Sequence, residues 1–229
     1  MNLGIMQPYF MPYIGYFQLI KAVDKYVIYD DVNYIKGGWI NRNNLLIGGE
    51  KRMFTITLKG ASPNKLINEI EIGDSFQKLL KTLQTNYSKT PYFRQTMELM
   101  EQIILFPDRQ LANFIANSLS KVTEYLGINT EFIISSQLPK NISLKGKDKV
   151  IHICQLLQAN SYFNAIGGQE LYDKKEFLEN GIELHFLKPV LSPYPQVSTE
   201  FVPGLSMIDV LMNNSKEEIN SMLDAYTLV

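Results

Sequence analysis

Apolar positions recur with two different periods along this chain, and the change of period divides it. Leu3–Met6 is a short apolar run that stops at Gln7-Pro8, which predicts a buried strand opening into a loop. Ile14, Phe17, Leu19, Ile20 and Val23 recur at three- and four-residue spacing and predict a helix over 14–23. Tyr26–Tyr29 is rich in β-formers and reads as a second strand that runs into Asp30-Asp31. Over Arg52–Lys59, Met53, Phe54, Ile56 and Leu58 are interleaved with polar positions and suggest a third strand. From Ser75 to Gly127 the pattern turns helical, broken by Pro91 and Pro107. It predicts three helices at about 75–88, 92–105 and 109–126, with Asp74, Thr90 and Asp108 at capping positions and Gly127 at a natural stop.

Strand and helix patterns then alternate. Glu131–Ser135 reads as a strand, Asp148–Leu157 as a helix, and Tyr162–Ile166 as a strand entering the Gly167-Gly168 turn. Glu170–Asn180 is a short helix closed by Gly181, and Ile182–Leu187 is another strand. Four prolines between Pro189 and Gly204 predict an extended surface segment, followed by helical patterns at Ile208–Met212 and Glu217–Leu223. Strand-helix-strand runs need crossover connections, so their strands pair in parallel, and right-handed crossovers put helices on both faces. The expected fold is therefore α/β: one Rossmann-like, mostly parallel sheet of about five strands, helices on both faces. It is expected to form a single domain over 1–229 with a helical insertion at about 75–127. Strand order does not follow from the pattern.

Composition narrows the classes. Hydrophobic residues make up 45% and charged residues 20%, a globular balance. With 22 basic and 23 acidic residues, no bulk charge favours nucleic acid or an anionic membrane, which leaves only a local patch for such contacts. Cys154 is the single cysteine and there are two histidines, too few for the usual zinc ligand sets, and no cofactor is indicated. The opening MNLGIMQPYFMPYIGYF lacks a basic leader, and its apolar run is cut at Gln7, Pro8 and Pro12. It is neither a signal peptide nor a transmembrane segment, and a cytoplasmic location is the expectation.

Three clusters carry candidate chemistry. The first is the loop Gln7–Pro12 with Tyr9, Tyr13 and Tyr16, a proline-stiffened turn between strand and helix. Its tyrosines suit stacking on a sugar or base, and ligands of open α/β sheets gather beyond strand carboxyl ends. The second runs from Asp30 and Asp31 through Tyr34 to Trp39, Asn41, Arg42 and Asn43. Adjacent carboxylates need a cation, a metal or water, with Arg42 one candidate partner or else an oxyanion clamp. Asn41 and Asn43 suit hydroxyl-rich ligands and Trp39 a stacking wall. The carboxylate pair alone is a weak metal signal. The third is Asn164 with Gly167 and Gly168, where paired glycines between strand and helix admit a ligand close to the backbone. His152 sits on a predicted helix as a further candidate for proton transfer, beside a core or capping role. His185 lies in a strand, Cys154 reads as an ordinary buried thiol, and Ser206 as an N-cap near Asp209.

The stretches QPYFMPYIGYFQLI, YVIYDDVNYIKGGWINRN, NAIGGQELY and LSMIDVLMNN resemble, in that order, the successive motifs of the WbqC-like family. The likeness runs from the N-terminus to about residue 214 and departs at Gly37, where the family more often carries a basic residue. The resemblance implies a place in O-antigen, lipopolysaccharide or other surface-polysaccharide biosynthesis, and a pathway more than a reaction. Three functions are then open. One is a transferase that modifies an amino sugar, nucleotide-linked, by acyl or aminoacyl transfer. Its catalytic candidates are Asp30, Asp31 and His152, and its substrate-binding candidates are Gln7, Tyr9, Tyr13, Tyr16, Tyr34, Trp39, Asn41, Arg42, Asn43, Asn164, Gly167 and Gly168. Another is a Mg-dependent nucleotidyl or phosphoryl transferase, although no histidine pair stands in the first loop. The last is a non-catalytic binding protein of a glycan pathway.

Overall fold

Leu3, Ile5 and Val27 are shielded almost completely, which puts the first two strands at the centre of a sheet and not at its edge. The computed structural model describes residues Met1–Val229. In chain order it runs β1 (Asn2–Met6), α1 (Ile14–Lys21), β2 (Lys25–Ile28), β3 (Arg42–Ile47), β4 (Glu50–Thr55), β5 (Leu58–Lys59) and β6 (Glu71–Ile72). Next come α2 (Gln77–Tyr87), α3 (Phe93–Ile104), α4 (Leu111–Leu126), β7 (Glu131–Ile134), α5 (Gly146–Leu156) and β8 (Ser161–Ala165). The chain closes with α6 (Lys174–Glu179), β9 (Glu183–Pro189), α7 (Met207–Asn213), α8 (Lys216–Leu223) and β10 (Tyr226–Leu228).

The main sheet has six strands in the order β10-β9-β8-β1-β2-β7, parallel throughout except for β10 against β9. Alternation along the strands splits the core in two. Leu3, Ile5, Val27, Leu184 and Phe186 meet Val150, Ile153 and Cys154 of α5 and Phe177 of α6 on one face. Tyr26, Ile28, Phe163 and Leu187 face α1, α8 and the helical block α2–α4, within a cluster of 43 buried residues. Phe76 and Phe114 stack there at 5.2 Å, with Phe10 at 5.9 Å from each. Truncating a ring packed this closely costs about 3–5 kcal/mol.

The α/β expectation holds, with helices on both faces, and the differences have physical reasons. The stretch 52–59 is not one strand of the main sheet. It breaks at Ile56-Thr57 into β4, which forms a hairpin with β3, and β5, which pairs with β6. β3 opens with Arg42-Asn43-Asn44, so its polar start hides it from an apolar-pattern argument. β10 is three residues long with two exposed, too little to register as a strand by alternation. Asp74 and Asp108 accept from the N–H groups of Phe76 and Gln110, so they act on the residue just ahead of each helix and not on its first turn. Gln110 itself caps α4 by accepting from the Asn113 N–H, while Thr90 bonds back to the Tyr87 carbonyl. Gly127 closes α4 and Ser206 caps α7 as the pattern indicates.

The proline-rich stretch after β9 is extended and tied to the core through Asp209. That carboxylate is fully buried and accepts from Tyr87 Oη and Tyr194 Oη at 2.7 Å each, with Gln196 Nε2 at 3.4 Å. The Leu46 N–H donates to Tyr87 Oη at 2.8 Å and continues the chain into β3. No ammonium or guanidinium faces this carboxylate, and burial pushes its pKa up despite the tyrosine and Gln196 hydrogen bonds. A carboxyl whose folded pKa is raised stabilises the fold fully below its unfolded pKa and loses that contribution as pH rises through the folded value. Urea unfolding at pH 4–7 should therefore show native stability falling with pH relative to Asp209→Asn, which lacks the titration. A constant difference between the two curves would contradict the assignment.

Candidate functional site

From β1 the chain builds the sheet outward through β2 to β7, and later in the opposite direction from β8 through β9 to β10. The point where the direction reverses therefore lies between β1 and β8, and ligands of open α/β sheets collect outside the strand carboxyl ends at such a point. Gln7 follows β1 there, and Asn164 with the Ile166–Gly168 turn ends β8. The Gln7 carbonyl accepts from Tyr16 Oη at 2.8 Å, while its side chain makes no hydrogen bond within the protein. Asn164 Oδ1 accepts from the Ala165 N–H at 2.8 Å, and its Nδ2 has no protein acceptor. A Cβ on Gly168 would stand 2.2 Å from that Nδ2, so the missing side chain is what lets the amide lie over the turn. Two amides with open hydrogen-bonding groups thus flank the switch point, suited to the hydroxyls of a polar ligand.

The loop between β1 and α1 is held rigidly. The Met11 carbonyl accepts from Asn43 Nδ2 at 2.9 Å and Ser206 Oγ at 2.7 Å, and the Phe10 N–H donates to the Ile40 carbonyl at 2.9 Å. Met11 adopts φ 44, a left-handed conformation these bonds maintain. Beneath the loop, Tyr9 and Tyr16 rings lie 5.4 Å apart and Tyr16 and Tyr26 rings 5.7 Å apart. Burial raises the hydroxyl pKa of Tyr9, Tyr13 and Tyr16, which stay protonated at neutral pH. Tyr16 is a buried support, while Tyr9 and Tyr13 keep partial exposure.

Asp30, Asp31 and His152 converge on one segment, residues 135–141. Asp30 is 1% exposed, with Oδ1 accepting from the Ser136 N–H at 2.8 Å and Oδ2 from Ser136 Oγ at 2.6 Å. Asn68 Nδ2 adds a third bond to it at 3.1 Å. Asp31 Oδ2 meets Lys140 Nζ at 2.8 Å and Lys149 Nζ at 3.0 Å, two ammoniums whose side chains are 2% and 9% exposed. Lys140 also donates to the Ser135 carbonyl, and Lys149 to the Asp31 carbonyl at 2.8 Å while lying 4.8 Å over the Tyr29 ring. Burial pushes the Asp31 carboxyl up, but Lys140, Ser135 and Lys149 together outweigh it and hold the pKa below its ordinary value. His152 Nε2 accepts from the Asn141 N–H at 3.2 Å, which tethers the far end of the segment to α5.

The second sequence cluster divides. Asn41, Asn43 and Tyr34 are buried and bonded internally: Tyr34 Oη donates to Asn41 Oδ1 at 3.0 Å, Asn41 Nδ2 to the Ile56 carbonyl at 2.8 Å, and Asn43 to Met11. Their amides therefore hold β3 against β4 and the first loop. Arg42 is not the partner of Asp30 or Asp31. Its Nε donates to the Gly38 carbonyl at 2.7 Å and its guanidinium lies 5.8 Å from the Trp39 ring, on an exposed loop. Gly37 takes φ 77 beside that guanidinium, a conformation a side chain would strain.

Lys140, Lys149 and Ser136 were not singled out from sequence, because they lie more than 100 positions from the aspartates they meet. The signal was the aspartate pair itself, which demanded cations without locating them. His185 packs against Phe163 at 5.0 Å, and burial pushes the Cys154 thiol up to about 12, an unreactive form.

Two cavities differ in their relation to the strand ends. One of 410 Å³ opens by the carboxyl ends of β2 and β7 between Ile28, Ile134, Asn113 and Asn117, whose Nδ2 is buried without a partner. Another, of 480 Å³, lies away from the strand ends, between the end of α2 and Pro195–Val197. Only one of its ten lining residues is hydrophobic, and its amides Asn86 and Gln196 are engaged internally, so size alone does not make it the site.

Comparison with known proteins agrees with this geometry in extent. The chain is 26% identical over 221 residues to the uncharacterized protein Rv1507c of Mycobacterium tuberculosis, covering 94% of this chain and 95% of that one. No solved structure matches it. No helix is long and apolar enough to cross a membrane. The model of the WbqC-like protein family matches residues 7–221, spanning the first loop, the 135–141 segment and the Asn164 turn, and the chain belongs to that family.

Proposed function

We propose that the protein is a transferase that modifies an amino sugar, carried as a nucleotide derivative, by acyl or aminoacyl transfer in surface-polysaccharide biosynthesis. The observation that carries this reading is the pair of open amides, Gln7 after β1 and Asn164 in β8, on either side of the point where strand order reverses. Hydroxyls of a sugar satisfy such groups, and the half-buried Tyr9 and Tyr13 give flat walls beside them. The backbone N–H groups around Gly167 and Gly168 suit an anionic oxygen. Family membership supports the pathway, and the amine substrate and donor are part of the proposal.

Asp31 is ionised at neutral pH and is the carboxylate available to accept a proton, through a small shift of either lysine. The same geometry speaks against Mg²⁺ at the aspartate pair, since two ammoniums already occupy Asp31 Oδ2 and repel a divalent cation. A non-catalytic binding role is the second reading, favoured by one observation: Asp30, Asp31 and His152 are all engaged in holding residues 135–141.

Thermal melts with nucleotide-linked amino sugars should show stabilisation of about 2.7 kcal/mol at 100 times the dissociation constant, a shift of roughly 5–11 °C. Gln7→Ala and Asn164→Ala should each weaken that binding by about fivefold, one hydrogen bond's worth. Unchanged affinity in both variants would remove the ligand from this crevice.

Asp31→Asn leaves two buried ammoniums facing an amide and should cost about 3 kcal/mol in urea unfolding. Because its folded pKa is depressed, Asp31 contributes stability above its unfolded pKa and loses it as pH falls, a slope the variant should lack. Adding Lys140→Met should recover part of the stability. Transfer that stays lost in the double variant marks chemistry at Asp31, and transfer that returns with stability makes Asp31 a structural support of the enzyme. A wild-type protein that binds the sugar without any transfer favours the binding reading.

A further inference from the structure

Charge is distributed unevenly along this chain. Residues 32–66 carry six basic residues and one acidic, while the rest of the chain carries 16 basic and 22 acidic. Of the six, only Arg52 pairs with a carboxylate, Glu50 at 2.6 Å. Lys36, Lys51, Lys59 and Lys65 are exposed, and Arg42 is partly exposed. The same segment exposes large apolar side chains: Ile35 by 52%, Trp39 by 48% and Met53 by 48%.

These residues share one side of the molecule. Arg42 lies against Trp39 and bonds the Gly38 carbonyl, beside Ile35. Arg42 pairs with Thr55, and Met53 pairs with Asn44, so the β3–β4 register and strand alternation put Arg42, Thr55 and Met53 on one face of the hairpin. Lys51 continues that face. Lys36 and Lys65 are brought to its other end by the Asn33–Leu66 bridge and the Tyr34 N–H donating to the Lys65 carbonyl at 2.9 Å. The result is an apolar tip ringed by cations that pair with no carboxylate, in an otherwise acidic chain.

We propose that this face docks the protein on an anionic phospholipid bilayer. Charge complementarity selects the partner: ammonium groups are drawn to an anionic leaflet, and a Trp with aliphatic neighbours enters the headgroup boundary. A nucleic-acid polyanion would satisfy the cations but leave Ile35 and Met53 in water. The Phe10 N–H bond to the Ile40 carbonyl ties this face to the loop at the sheet's carboxyl edge, so docking brings the crevice close to the membrane. The inference stands on the surface itself and does not depend on the transferase reading.

Trp39 is the only tryptophan, so its fluorescence reports this face alone. With vesicles of phosphatidylcholine and phosphatidylglycerol, its emission should shift to shorter wavelength, and about 0.5 M salt should reverse the shift by screening. Pure phosphatidylcholine vesicles should give none. In cosedimentation, Lys36→Gln should reduce vesicle partitioning about fivefold. Ile35→Ser and Met53→Ser, exposed positions that leave the fold intact, should reduce it further together. The proposal is overturned by an unshifted emission with anionic vesicles, by equal binding to neutral ones, or by oligonucleotide binding that competes with vesicles and is indifferent to Ile35→Ser.

Discussion

The carboxyl edge of this sheet depends on how two adjacent carboxylates are neutralised. Strand β2 ends at Ile28, and Asp30-Asp31 follow in the loop that leaves it. Asp30 has only neutral donors, Ser136 and Asn68, whereas Asp31 has two nearly buried ammoniums. Each carboxylate therefore pulls the segment after β7 onto the end of β2. Lys149 carries the tie into α5, and His152 closes it from the same helix. Removing one partner of such a group costs far more than the pair contributes, because a buried charge is left uncompensated.

A second hub supports the opposite side. The Met11 carbonyl is reached by Asn43 from β3 and Ser206 from the cap of α7, while Ser206 N–H bonds the Asn44 carbonyl. Three segments distant in sequence thus meet on one strained residue of the first loop. The proline-rich stretch is anchored nearby through Asp209, whose tyrosine partners come from α2 and from that stretch itself. The loop carrying Gln7 and Tyr9 is consequently presented by buried polar bonds more than by apolar packing.

The helices were legible in the sequence because burial on a helix repeats every three to four residues, and α2, α3 and α4 begin within two residues of their expected starts. The parallel strands were legible as short β-rich runs. Strand β3 was not, since Asn43 and Asn44 are buried without carrying a hydrophobic signal, Asn43 bonding the Met11 carbonyl and the Asn44 N–H. Asp30 and Asp31 stood out for a sound reason, the cost of an unpaired buried charge, but cost does not say where the counter-charge comes from. It came from Lys140 and Lys149, while Arg42 turned to Gly38 and Trp39. Gln7 and Asn164 were legible as site candidates by position, at the ends of strands that the sheet order later makes neighbours.

The central claim is that a ligand lies across the carboxyl ends of β1 and β8. Hydrogen–deuterium exchange with and without a nucleotide-linked amino sugar reads this directly, residue by residue. The account predicts slowed exchange at the backbone amides of residues 7–11 and 164–170, with 135–141 already protected in the free protein. Protection confined to residues 85–91 and 195–197, around the larger polar cavity, would contradict it.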